Sequence, residues 1–140
     1  MKYEQDDKQR HLEFLQLAIN RMASNSFILK GWNITLIVGL FALTLKDLSS
    51  SYLYLALLPA LAFWGLDTYY LRQERLFREV YNLIRKTKRK DIDPYSFDTL
   101  SVNGKVKNWF YTLFSPTVIL LHGSIIIFII TFILIVRGGI

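Results

Sequence analysis

Long apolar segments alternate with charged segments along this chain, and the pattern predicts helices throughout. Residues 27–45, 51–71 and 115–136 are each apolar over about the 20 residues that a helix needs to cross a bilayer. A soluble domain of 140 residues would not carry three such segments. We therefore expect an all-α integral membrane protein in which residues 1–140 form one membrane domain with three transmembrane helices.

The N-terminal segment, residues 5–26, has the period of an amphipathic helix. Leu12, Leu15, Ile19 and Met22 fall on one of its faces. Three roles for this face stay open: it lies on the membrane surface, it packs on the cytoplasmic helix that follows the second span, or it forms a seam between subunits. Residues 1–21 are mostly polar and have no continuous apolar stretch, so no secretory signal peptide is expected.

The second span should leave the membrane without a break, because neither Gly nor Pro separates residues 51–71 from the charged stretch that ends at Lys90. Pro59 lies in mid-span, where it removes one backbone donor and should kink the helix. Basic residues beside a membrane helix attract anionic lipid headgroups. We expect a contact with such headgroups or with a cytoplasmic protein partner at Arg85, Lys86, Lys88, Arg89 and Lys90.

Residues 91–110 have no strong period. The sequence predicts a loop here, with a short β-hairpin at Asn103–Gly104. Trp109 and the aromatic residues after it suit the membrane–water interface. Ser115 followed by Pro116 is typical of a helix start and begins the third span.

The basic residues are distributed unevenly about the three expected spans. Of 17 Lys and Arg residues, five lie in residues 1–30 and ten in residues 72–107, which leaves only Lys46 and Arg137 on the other side. Since Lys and Arg mark the cytoplasmic side, the N-terminus should be cytoplasmic and the C-terminus outside. The net charge of +6 follows from these flanking residues, so nucleic acid is not an expected partner.

Polar side chains inside a span are costly to bury and indicate a functional or structural role. The four that the sequence singles out are Lys30, Asn33, Asp67 and His122. A tight antiparallel turn at residues 46–50 places Lys30 and Asp67 at the same depth, where we expect an ion pair that fixes the register of the two helices. An ion or headgroup site is the alternative. His122 is expected to bond a backbone carbonyl of a neighbouring helix, with a titratable gate as the alternative.

Small residues recur at regular spacing on the first and third spans, which favours close approach of another helix. The spacing is four residues on the first span and seven on the third. On the third span such a stripe either packs against another helix or lines a mostly apolar pore that gates by dewetting. The residues concerned are Gly31, Thr35, Gly39, Thr117, Ser124 and Thr131.

Two long stretches, NSFILKGW at residues 25–32 and FWGLDTYYLRQERLFREVY at residues 63–81, resemble RipA-type small oligomeric proteins of the bacterial inner membrane. Trp109–Phe110 followed by a helix start at Phe114–Pro116 strengthens the resemblance. It implies a ring-like homo-oligomer in the inner (cytoplasmic) membrane, with no catalytic residues to carry over. The chain is also similar to SLATT-domain membrane effectors, a similarity that implies a pore opened by a trigger.

Catalytic motifs are not evident: the sequence has no phosphate-binding loop, no dinucleotide fingerprint, no HExxH motif and no Cys. We therefore expect no enzyme, no catalytic residue, no cofactor and no metal site. The expected function is that of a homo-oligomeric channel, pore or membrane-perturbing effector. The alternative is a non-conducting scaffold that recruits a cytoplasmic partner or anionic lipid.

Overall fold

A computed structural model of the chain describes residues 2–47, 51–87 and 95–138. Every regular element within these ranges is helical, and none of the described residues lies in a strand. The predicted all-α class is therefore confirmed. The elements in chain order are α1 (Lys2–Asp47), α2 (Ser51–Lys86), a 3₁₀-helix (Leu100–Lys105), α3 (Trp109–Leu113) and α4 (Pro116–Gly138).

Helix α1 is continuous over 46 residues, although the pattern predicted separate elements at 5–26 and 27–45. No Gly or Pro precedes Gly31, so nothing interrupts the backbone hydrogen bonds between the charged and the apolar halves. At 1.5 Å per residue the helix is about 69 Å long. Its two halves share one buried face, which contains His11, Leu15, Ile19, Ser26, Asn33, Ile37 and Thr44.

Helix α2 runs antiparallel to α1 and continues through Pro59 for 36 residues. It ends at Lys86, and the last residues of the predicted extension, 88–90, lie outside the described residues. The side chain of Lys8 closes this end: its Nζ donates to the carbonyl oxygens of Arg85 at 3.0 Å and Thr87 at 2.9 Å. A cation at the C-terminus of a helix satisfies free carbonyls and complements the helix dipole.

Two apolar cores follow one another along the α1–α2 pair. The first joins the apolar halves of these helices to α4 and contains Ile37, Leu53, Ala56, Ala60, Ile129 and Ile133. The second joins the charged halves to the 3₁₀-helix and contains Leu15, Leu76, Val80, Ile84 and Val102. Of the three roles left open for residues 5–26, packing on the charged half of α2 is therefore the one that the structure has.

The connection to α4 differs from its prediction. Asn103 and Gly104 lie in the 3₁₀-helix rather than in a β-hairpin, so the predicted hairpin is wrong. An isolated two-stranded hairpin is marginal in water, whereas the 3₁₀-helix buries Val102 completely in the second core. Residues 109–113 form α3, and the first two of these residues belonged to the predicted loop at 91–110. Helix α4 begins at Pro116, as the Ser-Pro pattern predicted.

Within the described part of the chain, two helices are long and apolar enough to cross a membrane: Asp6–Lys46 within α1, and Pro116–Gly138. In their most apolar stretches only 17% and 22% of the residues are buried, whereas the core helix of a soluble protein is mostly buried. Most of their apolar side chains therefore face outward from the chain's own core. The most apolar stretch of α2 is less apolar than those of these two helices. The second of the three predicted spans, residues 51–71, therefore stays a prediction.

Candidate functional site: a buried polar cluster between three helices

A cluster of five polar side chains, called here the polar cluster, joins α1, α2 and α4 between the two apolar cores. Helix α1 contributes three of them at spacings of four and three, which places them on one helical face. All are buried except Lys30, whose side chain is 28% exposed. The members are Ser26, Lys30, Asn33, Asp67 and His122.

The carboxylate of Asp67 lies at the centre of the polar cluster and is completely buried. Its Oδ1 accepts from Ser26 Oγ at 2.5 Å and from Lys30 Nζ at 2.6 Å. Lys30 Nζ also donates to Ser26 Oγ at 2.6 Å. The second oxygen, Oδ2, accepts from His122 Nε2 at 3.0 Å. Two charged or polar donors from α1 and one from α4 thus offset the cost of burying this charge.

The imidazole of His122 is bonded at both nitrogens. Nε2 donates to Asp67, and Nδ1 accepts from Asn33 Nδ2 at 3.3 Å. A carboxylate only accepts and an amide nitrogen only donates, so these partners place the ring proton on Nε2. The ring also stacks on Trp64, with centroids 6.4 Å apart and an interplanar angle of 9°. Trp64 Nε1 in turn donates to the carbonyl oxygen of Leu113 at 3.1 Å, which ties α3 to the same site.

The arrangement is suited to holding helices together rather than to chemistry on a substrate. Ser26 donates to Asp67 and not to His122, so the serine–histidine contact of a nucleophilic triad is not made. Both carboxylate oxygens already carry protein donors. Within the described ranges no three His, Asp or Glu side chains are grouped so as to hold a metal ion. The geometry therefore favours the register-fixing role of Lys30 and Asp67 over the ion or headgroup site.

The structure brings all four predicted intramembrane polar residues into one place. The turn geometry predicted only the contact between Lys30 and Asp67. His122 bonds the Asp67 carboxylate instead of a backbone carbonyl, so that part of the expectation is wrong. Ser26 and Trp64 were not predicted as members of the site. The signal for Ser26 was its position one helical turn before Lys30, on the same face.

The six predicted packing residues lie on the outer surface of the chain and not in its core. All of them are exposed: Gly31, Thr35, Gly39, Thr117, Ser124 and Thr131. A Cβ added at Gly31 or Gly39 would meet nothing within 4 Å. The hydroxyl groups of Thr35, Ser124 and Thr131 bond carbonyls of their own helices. At 100° per residue, both rows of small residues lie on the far side of their helices from the buried face.

The basic residues predicted to contact lipid or a partner are only partly described. Arg85 and Lys86 are exposed in the last turn of α2. Lys88, Arg89 and Lys90 lie outside the described residues. The contact with anionic lipid or a cytoplasmic partner at these positions stays a prediction.

Asn33 is the member of the polar cluster that can be replaced at least cost. It is completely buried, and its Oδ1 has no hydrogen-bond partner among the described residues. Removing this poorly satisfied amide also removes its desolvation penalty, which offsets the loss of the donor to His122 Nδ1. We expect Asn33→Leu to change the free energy of unfolding by less than about 1 kcal/mol, measured by unfolding in mixed detergent micelles. Ser26→Ala removes a donor to Asp67 and should cost more; equal costs would contradict this ranking.

Comparison with protein-family models, with curated proteins and with solved structures finds no match to this chain.

Proposed function

We propose that this chain is a three-span membrane protein that assembles with copies of itself, and that the assembly acts as a channel or a membrane-perturbing effector. The observation that carries the proposal is the outer surface of the protomer. Two helices present mostly apolar side chains outward. A Cβ added at Gly31 or Gly39 of α1 would meet nothing within 4 Å, and the small residues in the row on α4 are exposed. Such surfaces suit lipid and the close approach of a second helix.

A membrane location explains why these apolar faces are left uncovered. Exposed apolar side chains on α1 and α4 include Phe27, Trp32, Val38, Leu120, Ile127 and Leu134. Only three residues separate α1 from α2, so the apolar half of α2 must return through whatever layer α1 has crossed. That return makes residues 51–71 the proposed second span, even though Asp67 and Pro59 lower its hydropathy.

The charges support one orientation. In the three-span arrangement, fifteen of the 17 Lys and Arg residues fall on the side of the N-terminus and the 72–107 segment. We assign that side to the cytoplasm, and the C-terminus to the outside of a bacterial inner membrane. The second apolar core then forms a helical layer in the cytoplasm.

Assembly should depend on the row of small residues on α1. Gly39→Leu adds bulk where the protomer has open space, so the protomer should fold normally while its association weakens by about tenfold or more, which corresponds to about 1.4 kcal/mol or more. The measurement is the distribution of oligomer masses in lipid nanodiscs, with helix content as the check on folding. Ile34→Phe enlarges another exposed position of α1 and should leave assembly intact. Equal loss in both variants, or in neither, would contradict the proposed interface.

A pore would be lined by an outer face of α1 or α4 and not by the polar cluster, because Asn33, Asp67 and His122 are buried inside the protomer. The row at Thr117, Ser124 and Thr131 would make a weakly polar, narrow lining. Ion flux from liposomes tests conduction. Flux that appears with wild-type protein and is lost in Gly39→Leu is the expected result.

The alternative function is a non-conducting scaffold that recruits a cytoplasmic partner or anionic lipid. The exposed cations at the end of α2, Arg85 and Lys86, favour it. If liposomes containing the wild-type assembly show no flux, and neutralising these two residues abolishes binding to anionic vesicles, the scaffold replaces the channel.

A further inference from the structure

A groove lined mostly by cations lies beside the charged half of α2, apart from the polar cluster. Its volume is about 290 Å³, and it is lined by Arg75, Arg78, Glu79, Lys105, Val106 and Lys107. Two elements that are distant in sequence supply the cations: α2 gives two arginines, and the segment at the end of the 3₁₀-helix gives two lysines. On a solvated helix face, all the charges belong to one helix. Here the cations come from two separate elements and surround a common space, which favours a binding site.

The groove keeps an excess of positive charge after its internal ion pairs are counted. Four cations and Glu79 leave a net charge of +3. Arg78 is also paired with Glu74 at 2.8 Å, which reduces the net charge to +2. A doubly charged anion would balance it. A phosphate monoester carries about that charge near neutral pH and offers three acceptor oxygens.

Neighbouring contacts fix the two walls of the groove relative to each other. Arg72 Nη2 donates to Asn103 Oδ1, which ties the 3₁₀-helix to α2 one turn from Arg75. Val102 is buried in the second apolar core, so its side chain also attaches the 3₁₀-helix to α2. The Nε of Arg72 is buried and has no hydrogen-bond partner among the described residues. The region therefore has more donors than the protein's own acceptors satisfy.

The position of the groove along α2 matches the lipid headgroups in the proposed membrane arrangement. Arg75 follows Asp67 by eight residues, or about 12 Å of helix, and follows residue 71, the end of the proposed second span, by four residues, or about 6 Å. The polar layer beyond the hydrocarbon is several ångströms deep, so the groove lies within that layer.

We propose that this groove binds the phosphate monoester headgroup of an anionic phospholipid in the cytoplasmic leaflet. The inference rests on the proposed membrane location. It differs from diffuse attraction at the end of α2, because bidentate arginine contacts and converging lysines select phosphate over other anions. Inorganic phosphate offers the same chemistry but lacks the acyl chains that would hold it at this depth.

The test uses the full chain in phosphatidylcholine nanodiscs, titrated with short-chain phosphatidic acid and followed by ³¹P NMR. Arg75→Gln and Lys105→Gln should each weaken binding by about tenfold, the effect of losing one charge-assisted hydrogen bond. The matched control is Arg21→Gln, because Arg21 is exposed on α1 about 13 Å from Lys30, close to the depth of Arg75. It should change binding by less than about twofold, as expected for a surface charge outside the site.

Three outcomes would overturn the proposal. Equal weakening by Arg21→Gln would mean diffuse attraction only. Equal affinity for oleate, an anionic amphiphile without phosphate, would show that the groove does not recognise the phosphate group. Equal affinity for inorganic phosphate would make a soluble anion the ligand. If the chain inserts into nanodiscs and assembles but fails these tests, only the proposed phosphate site is contradicted. If the chain does not insert into nanodiscs, the proposed function itself is contradicted.

Discussion

Asp67→Asn should lower the free energy of unfolding by about 3–5 kcal/mol. The amide keeps one acceptor oxygen and turns the other into a donor, so it cannot accept from both Lys30 and His122. Breaking a buried pair by removing one partner leaves the other charge uncompensated, which is the reason for the large cost. Unfolding in mixed detergent micelles, followed by tryptophan fluorescence, measures the effect.

Thr68→Val is the matched control for this substitution. Thr68 is the next residue, is equally buried, and donates only to the carbonyl of Trp64 in its own helix. Its loss should cost less than about 1 kcal/mol. Adding Lys30→Met to Asp67→Asn should restore part of the lost stability, since the unpaired ammonium is then gone. Equal costs for Asp67→Asn and Thr68→Val, or no recovery in the double variant, would show that the polar cluster does not hold the helices together.

Leu15→Ala should destabilise the layer around the second apolar core by about 3 kcal/mol, a typical cost for truncating a buried leucine. Leu15 is completely buried in the second apolar core, against the charged half of α2. The loss should be local, so amide hydrogen exchange in residues 8–24 and 74–86 should speed up while the apolar halves stay protected.

Leu17→Ala provides the control, because Leu17 is 63% exposed on the same helix. It should change exchange rates little. If both variants loosen the layer equally, α1 does not pack on α2 through the Leu15 face. If the whole chain unfolds in Leu15→Ala, the two apolar cores are one cooperative unit rather than two.

The fold class and the contact between Lys30 and Asp67 were predictable, because each follows from local chemistry. The helix class follows from apolar periodicity, and the contact follows from a short turn that fixes which residues of two antiparallel helices face each other. The continuity of α1 was less evident, because the change from a polar to an apolar composition resembles a boundary. A helix ends where its backbone hydrogen bonds are interrupted, and composition alone does not interrupt them.

The rest of the polar cluster depends on how α4 packs, which no local pattern specifies. His122 lies 55 residues from its partner Asp67, a separation too long for a single short turn to set the register, as the turn after α1 does for Lys30 and Asp67. The hairpin at Asn103–Gly104 failed for a related reason. The Asn-Gly signal is local, but burying Val102 against α2 is a long-range contribution that outweighed it.

The polar cluster and the outer surfaces have separate roles in the proposed assembly. The charged and polar side chains of the polar cluster bond one another between the helices of one chain, so few of them could contact a neighbouring chain. The rows of small residues on α1 and α4 are exposed on the surface of the chain. Helix association within a bilayer relies on such close-packing faces, which is the physical basis of the proposed self-association.

The most direct test is the mass of the wild-type particle in lipid nanodiscs, measured by native mass spectrometry. A closed assembly of more than two chains is the predicted result, and it would make a central pore geometrically feasible. A monomer or a simple dimer would contradict the proposed assembly and, with it, the channel.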